Sequence, residues 1–344
     1  MVLSLALVGD VMLGRLVDGR ILADPTTDPA HVWGDTKPLL AQADLCLANL
    51  ECVIATRCYE HTRAPKTFTF CARPRAIEAL QAVPVDFVSL ANNHVLDYGA
   101  DALLEMLDRL EAHGIAWAGA GPTMAAALRP AIIPAGEITV GVLSLTDNEP
   151  GWEAGLARAG TNYVDYDDHG LREPYRRRIA QAMAETRQRA DLIIVSAHVG
   201  PNWGPPSPAM QVLARQLIDF GADLYWGHSN HTVQGIELYR GRPILYSTGD
   251  FVDDYAVDPH ERNDLSCIFQ VMVEDKQIRR LRLHPVKIGY LQVNRATGED
   301  AAWITLWLRA RCTPFGTQLQ TQNGELQVDL ERGLSGQGKL NARA

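Results

Sequence analysis

The sequence predicts an α/β protein, a four-layer αββα sandwich of two mixed sheets. Three observations predict it. Aliphatic runs alternate with helical patterns as far as Ala118, and strands separated by helices form a largely parallel sheet. From Ala131 the spacing shortens to hairpin-like strands, which calls for a second sheet. Polar clusters close one aliphatic run after another, so the layered packing gathers them at one end.

Leu3 to Val8 is an unbroken aliphatic run that reads as a buried first strand. A helical stretch near Leu16 to Leu22 follows, then a strand at Leu45 to Leu50 and a helix around Pro74 to Gln81. Phe87 to Ala91 reads as a strand, Ala102 to Ala112 as an amphipathic helix closed by Gly114, and Ile115 to Ala118 as a short strand. Ala131 to Pro134 and Thr139 to Leu145 flank the turn Ala135-Gly136-Glu137. A polar, glycine-rich connector spans Asp147 to Gly170. The helix Leu171 to Ala190 then leads into Leu192 to Ala197, and Ser207 to Phe220 into Asp223 to Trp226. Thr232 to Tyr239 and Pro243 to Tyr246 surround a turn at Gly241. Ser266 to Val273 and Gln277 to Val286 are expected to complete the second sheet, and Ala301 to Ala310 to form a last helix. Residues 1–310 thus read as one domain, and 311–344, rich in Gln, Gly and Asn, as a loosely held tail.

With 344 residues, 47% of them apolar and 21% charged, the chain has a globular composition. Its formal net charge of −9 argues against a nucleic-acid partner, which requires a basic face to neutralise phosphates. No window approaches the roughly 20 apolar residues of a membrane span, and the start Met1-Val2-Leu3-Ser4 has no basic leader, so no membrane segment and a cytoplasmic location are expected. Cysteines 46, 52, 58, 71, 267 and 312 contain no Cys-x-x-Cys pair, which speaks against structural zinc. Cys52 and Cys58 are close enough in sequence to pair in an oxidising compartment, but free thiols are the expectation.

The clusters at the strand ends carry the chemistry. Asp10 emerges where the first strand ends, at the edge where α/β sheets hold ligands. Asn49 and Glu51 close the second run and, with a period of two, point to the same side. In Ser89-Leu90-Ala91-Asn92-Asn93-His94 two carboxamides and an imidazole follow a buried strand, and Asp97 is near enough to orient the His94 ring or to cap the next helix. His198 ends another buried run, and the aromatic Gly200-Pro201-Asn202-Trp203 suits a pocket wall. His228 and His231 stand three residues apart after Trp226, with Gly227 expected to let the backbone turn. Asp250 ends a further strand and is expected to support those histidines. Carboxylates, carboxamides and imidazoles delivered together in this way are what a two-metal site requires.

In this order, Gly-Asp-Val-Met-Leu-Gly-Arg from Gly9, Asn-Leu-Glu from Asn49, Ser-Leu-Ala-Asn-Asn-His-Val-Leu-Asp-Tyr-Gly from Ser89, Gly-His-x-x-His from Gly227 and Tyr-Ser-x-Gly-Asp-Phe from Tyr246, the motifs resemble those of the CapA family, named for a poly-γ-glutamate capsule biosynthesis protein. That family looks like a branch of the calcineurin-like metallophosphoesterases, which implies two divalent metal ions, Mn, Fe or Zn. The resemblance implies Asp10 and His231 on one metal, Asn93, His198 and His228 on the other, Glu51 bridging them, and His94 protonating the leaving group. Here the superfamily's Asp-x-His element reads Asp10-Val11-Met12, and Asp250 stands where many members have Asn. Arg15 and Lys66, with Asn49, are the candidate contacts to a small anionic or peptide-like substrate. The leading expectation is a metal-dependent hydrolase of phosphoester or amide and γ-glutamyl bonds. A noncatalytic binder of an acidic peptide or polymer and an amide- or ester-forming enzyme are the alternatives. Oligomeric state is not legible.

Overall fold

A computed structural model describes residues 2–56, 66–322 and 325–330. Val2–Val11 is buried from Leu3 onwards, as an aliphatic strand covered on both faces must be, and it occupies the middle of the first sheet. Leu45–Leu50 lies parallel to it, followed by Val85–Ser89 and Ala116–Ala118, also parallel. On its other side Leu265–Glu274 and Gln277–Gly289 run antiparallel. These two long strands were expected in the second sheet and instead extend the first. Their period-two pattern defines a strand but leaves its partner open, and Leu265–Glu274 finds the free edge of Val2–Val11, with Leu3 opposite Val273 and Leu7 opposite Phe269.

The second sheet has Ile138–Thr146, Leu192–His198, Leu224–His228 and Arg242–Leu245 in parallel, with Ala131–Ala135 and Ile236–Tyr239 antiparallel at its two edges. Three apolar layers separate four structural ones. Leu5, Leu7, Leu47 and Phe87 of the first sheet meet Val140, Ile194, Leu224 and Trp226 of the second. Val8 and Leu50 face outward onto Leu103 and Leu107 of the helix Gly99–Ala112. Ile193 and Val195 face the other way, onto Ile179 and Met183 of Tyr175–Arg187 and Leu213 and Leu217 of Pro208–Asp219. The architecture is the expected αββα sandwich.

Several boundaries shift for local reasons. The helix expected from Leu171 begins at Tyr175, because Gly170–Leu171 pairs with Tyr166–Asp167 and the helix enters after Pro174. The Asp147 to Gly170 connector is therefore partly structured. Within the expected tail, residues 311–344, Gln320–Gln322 and Glu325–Asp329 are strands that continue the first sheet. Leu283 pairs with Leu326, Leu281 with Val328, and burial of Leu326 and Val328 in the central layer holds the segment; residues 331–344 lie outside the described residues. Cys46, Cys52, Cys267 and Cys312 are free and buried, as expected, whereas Cys71 is disulfide-bonded, which corrects the expectation of thiols throughout. Cys58 lies outside the described residues. Among the described residues no helix is long and apolar enough to cross a membrane.

Gly227 serves a different purpose from the turn expected of it. It lies within the strand Leu224–His228, and a Cβ there would sit 2.2 Å from the Tyr246 carbonyl oxygen. Gly9 is constrained likewise, 1.9 Å from the Gly249 carbonyl oxygen. Both glycines permit backbones to touch beside the polar cluster. Gly227→Ala is expected to destabilise the protein by about 1–3 kcal/mol through overpacking and to displace His228, read as a lowered midpoint in urea unfolding.

Candidate metal centre

Strand register brings the clusters together. Asp10 is level with Asn49 on one neighbouring strand and with Asp250 on the other, while His198 is level with His228 in the second sheet. His228 is the last residue of the strand Leu224–His228, which runs two residues beyond the expected end at Trp226. Beyond it the chain reverses through Ser229 and His231, which hold positive φ of 83° and 60°, a conformation that costs energy for residues other than glycine. The Asn230 amide fastens this turn to the Gly204 carbonyl at 2.8 Å.

Asp10, Glu51, His231 and Asp250 each offer a ligand atom, all within 4.8 Å of one another. Asp10 Oδ1 accepts from Asn49 Nδ2 at 2.8 Å and lies 3.4 Å from His228 Nδ1, whereas Asp10 Oδ2 is buried without a partner. Glu51 Oε2 accepts from the Tyr255 hydroxyl at 3.0 Å, and Asp250 Oδ1 is 2.8 Å from His231 Nδ1. Asp250 Oδ2 is a second buried oxygen without a partner, and Asn93 Oδ1 is a third. Buried acceptors left unpaired are costly, and oxygen atoms beside imidazole suit a divalent cation, so these residues fit the metal that the sequence implied. Asp250 was expected only to support the histidines; its position admits direct contact as well.

The other expected ligands border this cluster. His198 Nδ1 is 3.2 Å from Asn49 Nδ2, and His198 Nε2 is 3.8 Å from Glu51 Oε1, so Asn49 and Glu51 approach one imidazole at its two nitrogens. His228 is more enclosed. Its Nε2 meets the Ser196 hydroxyl at 3.0 Å, and Trp226 covers one side edge-on.

A cavity of about 590 Å³ opens over Asn93, His94, His231 and Tyr255, and Glu51 lies behind its wall, in contact with Tyr255. His94 Nδ1 is 2.6 Å from Asp97 Oδ2, and the ring stacks on Phe70 with centroids 3.8 Å apart. Asp97 orients this ring rather than capping the helix, whose N-cap is Tyr98. Lys66 and Arg15, the candidate substrate contacts, both line the cavity. Lys66 donates to Asp97 Oδ1 at 2.9 Å and to the Asn93 carbonyl, and lies over Trp152; Arg15 lies over Phe68 and Phe70 and 3.3 Å from Asp254. Trp203 completes the wall. Tyr255, which touches Glu51 and packs edge-on against His231, had no signal in the sequence.

Burial and mutual charge set the proton affinities. Burial pushes Glu51 well above the usual carboxylate range, with the charge of Asp10 adding to it. Burial also brings His94 down to about 4 and His198 to about 3, against the opposing pull of Asp97 and Asp10 respectively. His231 goes the other way: burial resists, but Asp250 raises it to about 10. The unfolded chain protonates its histidines near pH 6.5. Acidification below about 6.5 therefore adds protons to unfolded chains first and costs stability through His94 and His198, down to their folded values of about 4 and about 3. The stabilisation from His231 is complete below about 6.5 and is lost as pH rises towards about 10. Glu51 and Asp250, both raised by burial, impose the opposite slope, losing stability as pH rises through the acid range. In chelator-treated protein His198→Asn should therefore remove one part of the stability lost on acidification below about pH 6.5, read as a smaller fall of the unfolding temperature than in the parent; an unchanged acid limb contradicts this.

Comparison with known proteins decides the family. The family model described as bacterial capsule synthesis protein matches residues 4–255. The chain belongs to this family of bacterial capsule synthesis proteins. It is 32% identical over 336 residues to a probable polyglutamine synthesis accessory protein of Mycobacterium tuberculosis, covering 92% of this chain and 85% of that protein. It is 26% identical over 320 residues to the capsule biosynthesis protein CapA of Bacillus anthracis, covering 88% and 75% respectively. A hypothetical protein from Thermus thermophilus shares the fold of this capsule synthesis family member with a TM-score of 0.50 at 13% identity, over 83% of this chain and all of that one. The CapA resemblance of the strand-end motifs is thereby upheld.

Proposed function

We propose that the protein is a metal-dependent hydrolase that activates water on a phosphoester, amide or γ-glutamyl bond of a small anionic or peptide-like substrate. The observation that carries this is the buried set Asp10, Glu51, His231 and Asp250, two of its oxygens unpaired, beside the His94–Asp97 pair at an open cleft. Asp10, Glu51 and His231 would hold one cation and Asn93, His198 and His228 a second, with Glu51 available to both. When bound, divalent cations of the Mn, Fe or Zn type would supply polarisation of the bond under attack and a water acidic near neutral pH.

The protein's own groups supply the rest. Asn49 keeps Asp10 and His198 turned toward each other. Asp97 fixes Nδ1 of His94, leaving Nε2 to exchange protons in the cleft. Because burial keeps His94 neutral at pH 7, it first accepts a proton as water attacks and then returns it to the leaving group. That modifies the purely acidic role implied by the resemblance. Arg15 and Lys66 bind the anionic group. Arg15→Gln is expected to raise KM about tenfold with kcat little changed, as loss of one charge-assisted hydrogen bond does. Steady-state kinetics at two salt concentrations measures it.

The disulfide at Cys71 favours an oxidising compartment over the cytoplasm expected from the sequence. The test of the function is a panel of bis-p-nitrophenyl phosphate, p-nitrophenyl phosphate and γ-glutamyl-p-nitroanilide, with chelator-stripped and Mn²⁺-reloaded protein. Turnover restored by metal supports hydrolysis. Saturable binding of oligo-γ-glutamate, with no turnover of any substrate, would instead make the protein a binding factor.

A further inference from the structure

Asp97 and Asp250 each bring a carboxylate oxygen within 3 Å of a histidine Nδ1, at 2.6 Å and 2.8 Å, and they are built differently. Asp97 beside His94 uses both oxygens: Oδ1 accepts from Lys66, and Oδ2 meets His94 Nδ1 and accepts from the Phe70 backbone N–H at 2.7 Å. Asp250 beside His231 is placed otherwise. Its Oδ1 lies 2.8 Å from His231 Nδ1, a spacing that lets both atoms face one cation, while Oδ2, in a side chain with no solvent exposure, has no partner at hydrogen-bond distance, the Asn263 side chain being its further polar neighbour. A carboxylate whose purpose ends with orienting an imidazole has no need of a bare buried oxygen, and burying one is unfavourable. Asp10, level with Asp250 on the adjoining strand, likewise keeps Oδ2 bare. Ligand atoms of both residues fall within 4.8 Å of each other and of those from Glu51 and His231.

We propose that Asp250 is a direct ligand of the cation held by Asp10, Glu51 and His231, and that this makes the site select hard divalent cations of the Mn²⁺ class. The inference rests on the metal-dependent reading above and deepens it. With Asp250 included, the donors are three carboxylates and one imidazole. Oxygen-rich sets favour Mn²⁺ and Mg²⁺, while imidazole and thiolate favour Zn²⁺, so each carboxylate narrows the usual advantage of Zn²⁺. His198 and His228 approach Glu51 and Asp10 at 3.8 Å and 3.4 Å but do not belong to the group of four whose ligand atoms all lie within 4.8 Å of one another, so this set stays oxygen-dominated.

The test uses full-length protein stripped with chelator and titrated calorimetrically with MnCl2 and, separately, ZnCl2. Asp250→Asn retains an acceptor for His231 Nδ1 and removes the charge. It is expected to weaken the tighter Mn²⁺ site more than about 100-fold, beyond the range known for groups that merely support a ligand, and Zn²⁺ by less than about tenfold. Equal Mn²⁺ affinity in the variant and the parent overturns the proposal. A second measurement needs no variant: electron–nuclear double resonance of the parent protein with one equivalent of Mn²⁺ should detect a single histidine nitrogen, and two or more would also overturn it. Mn²⁺ bound in this way without turnover of any substrate would sink the hydrolase reading and leave the Asp250 assignment standing. Turnover with an indifferent Asp250→Asn does the reverse.

Discussion

Glu51→Gln should remove metal-dependent turnover and most of the metal affinity while the metal-free protein stays folded. The two effects separate because of where Glu51 sits. Its side chain is buried among Asp10, Asp250, His198 and His231, and burial together with the charge of Asp10 already raises its proton affinity. A neutral side chain of the same shape therefore relieves like-charge repulsion and still accepts from the Tyr255 hydroxyl at the same oxygen. For cation binding the change is adverse. Supporting groups around a metal typically change affinity by about 10–100-fold, and a ligand shared between two cations should exceed the upper end of that range. Metal analysis after gel filtration, alongside thermal unfolding in chelator, reads both quantities. A variant that keeps its metal and its activity removes Glu51 from the centre; one that fails to fold without metal shows that its negative charge is structural.

His94→Gln should lower kcat by about 10²–10⁴-fold with metal content unchanged, the range of a positioned proton-transfer group. The ring is held on two sides, by Asp97 at Nδ1 and by Phe70 across its face, which points to a defined task for Nε2. The dependence on leaving group makes the result specific. A proton donor matters most where the leaving group is poorly stabilised, so the loss should be large for an alkyl ester or amide and small for a nitrophenyl ester. A uniform loss across leaving groups, or loss of metal from the variant, would mean that His94 supports the site without moving a proton. Asp97→Asn should reproduce the loss in part, because it disturbs the tautomer that the Asp97 carboxylate selects.

Much of this arrangement is legible in the sequence because local patterns encode it. An aliphatic run that ends in Gly9-Asp10 can only be a buried strand delivering a carboxylate at its edge, and the same logic places Asn49, Glu51, Asn93, His198 and His228. What periodicity does not contain is partnership. Leu265–Glu274 has the pattern of a strand in either sheet, and its place beside Val2–Val11 depends on contacts some 270 residues away in the chain, such as Val2 opposite Glu274. Tyr255 reaches Glu51 from 204 positions away out of a segment with no period at all. Gly227 was legible as a glycine but not as a point of contact with the Tyr246 carbonyl, since close approach belongs to the fold. Asp250 shows the same limit in its chemistry: an acid at a strand end is visible, while an oxygen with nothing to bind is a property of three dimensions.

The central claim is that these strand ends form a cation site, and diffraction tests it most directly. Crystals of the chelator-stripped protein soaked in MnCl2, with data collected on either side of the manganese absorption edge, should give an anomalous peak in bonding contact with Asp10, Glu51, His231 and Asp250. A second peak on the His198 side is expected at higher Mn²⁺ concentration. Well-ordered side chains at all four residues with no anomalous peak among them, at Mn²⁺ concentrations that saturate binding in solution, would contradict the account.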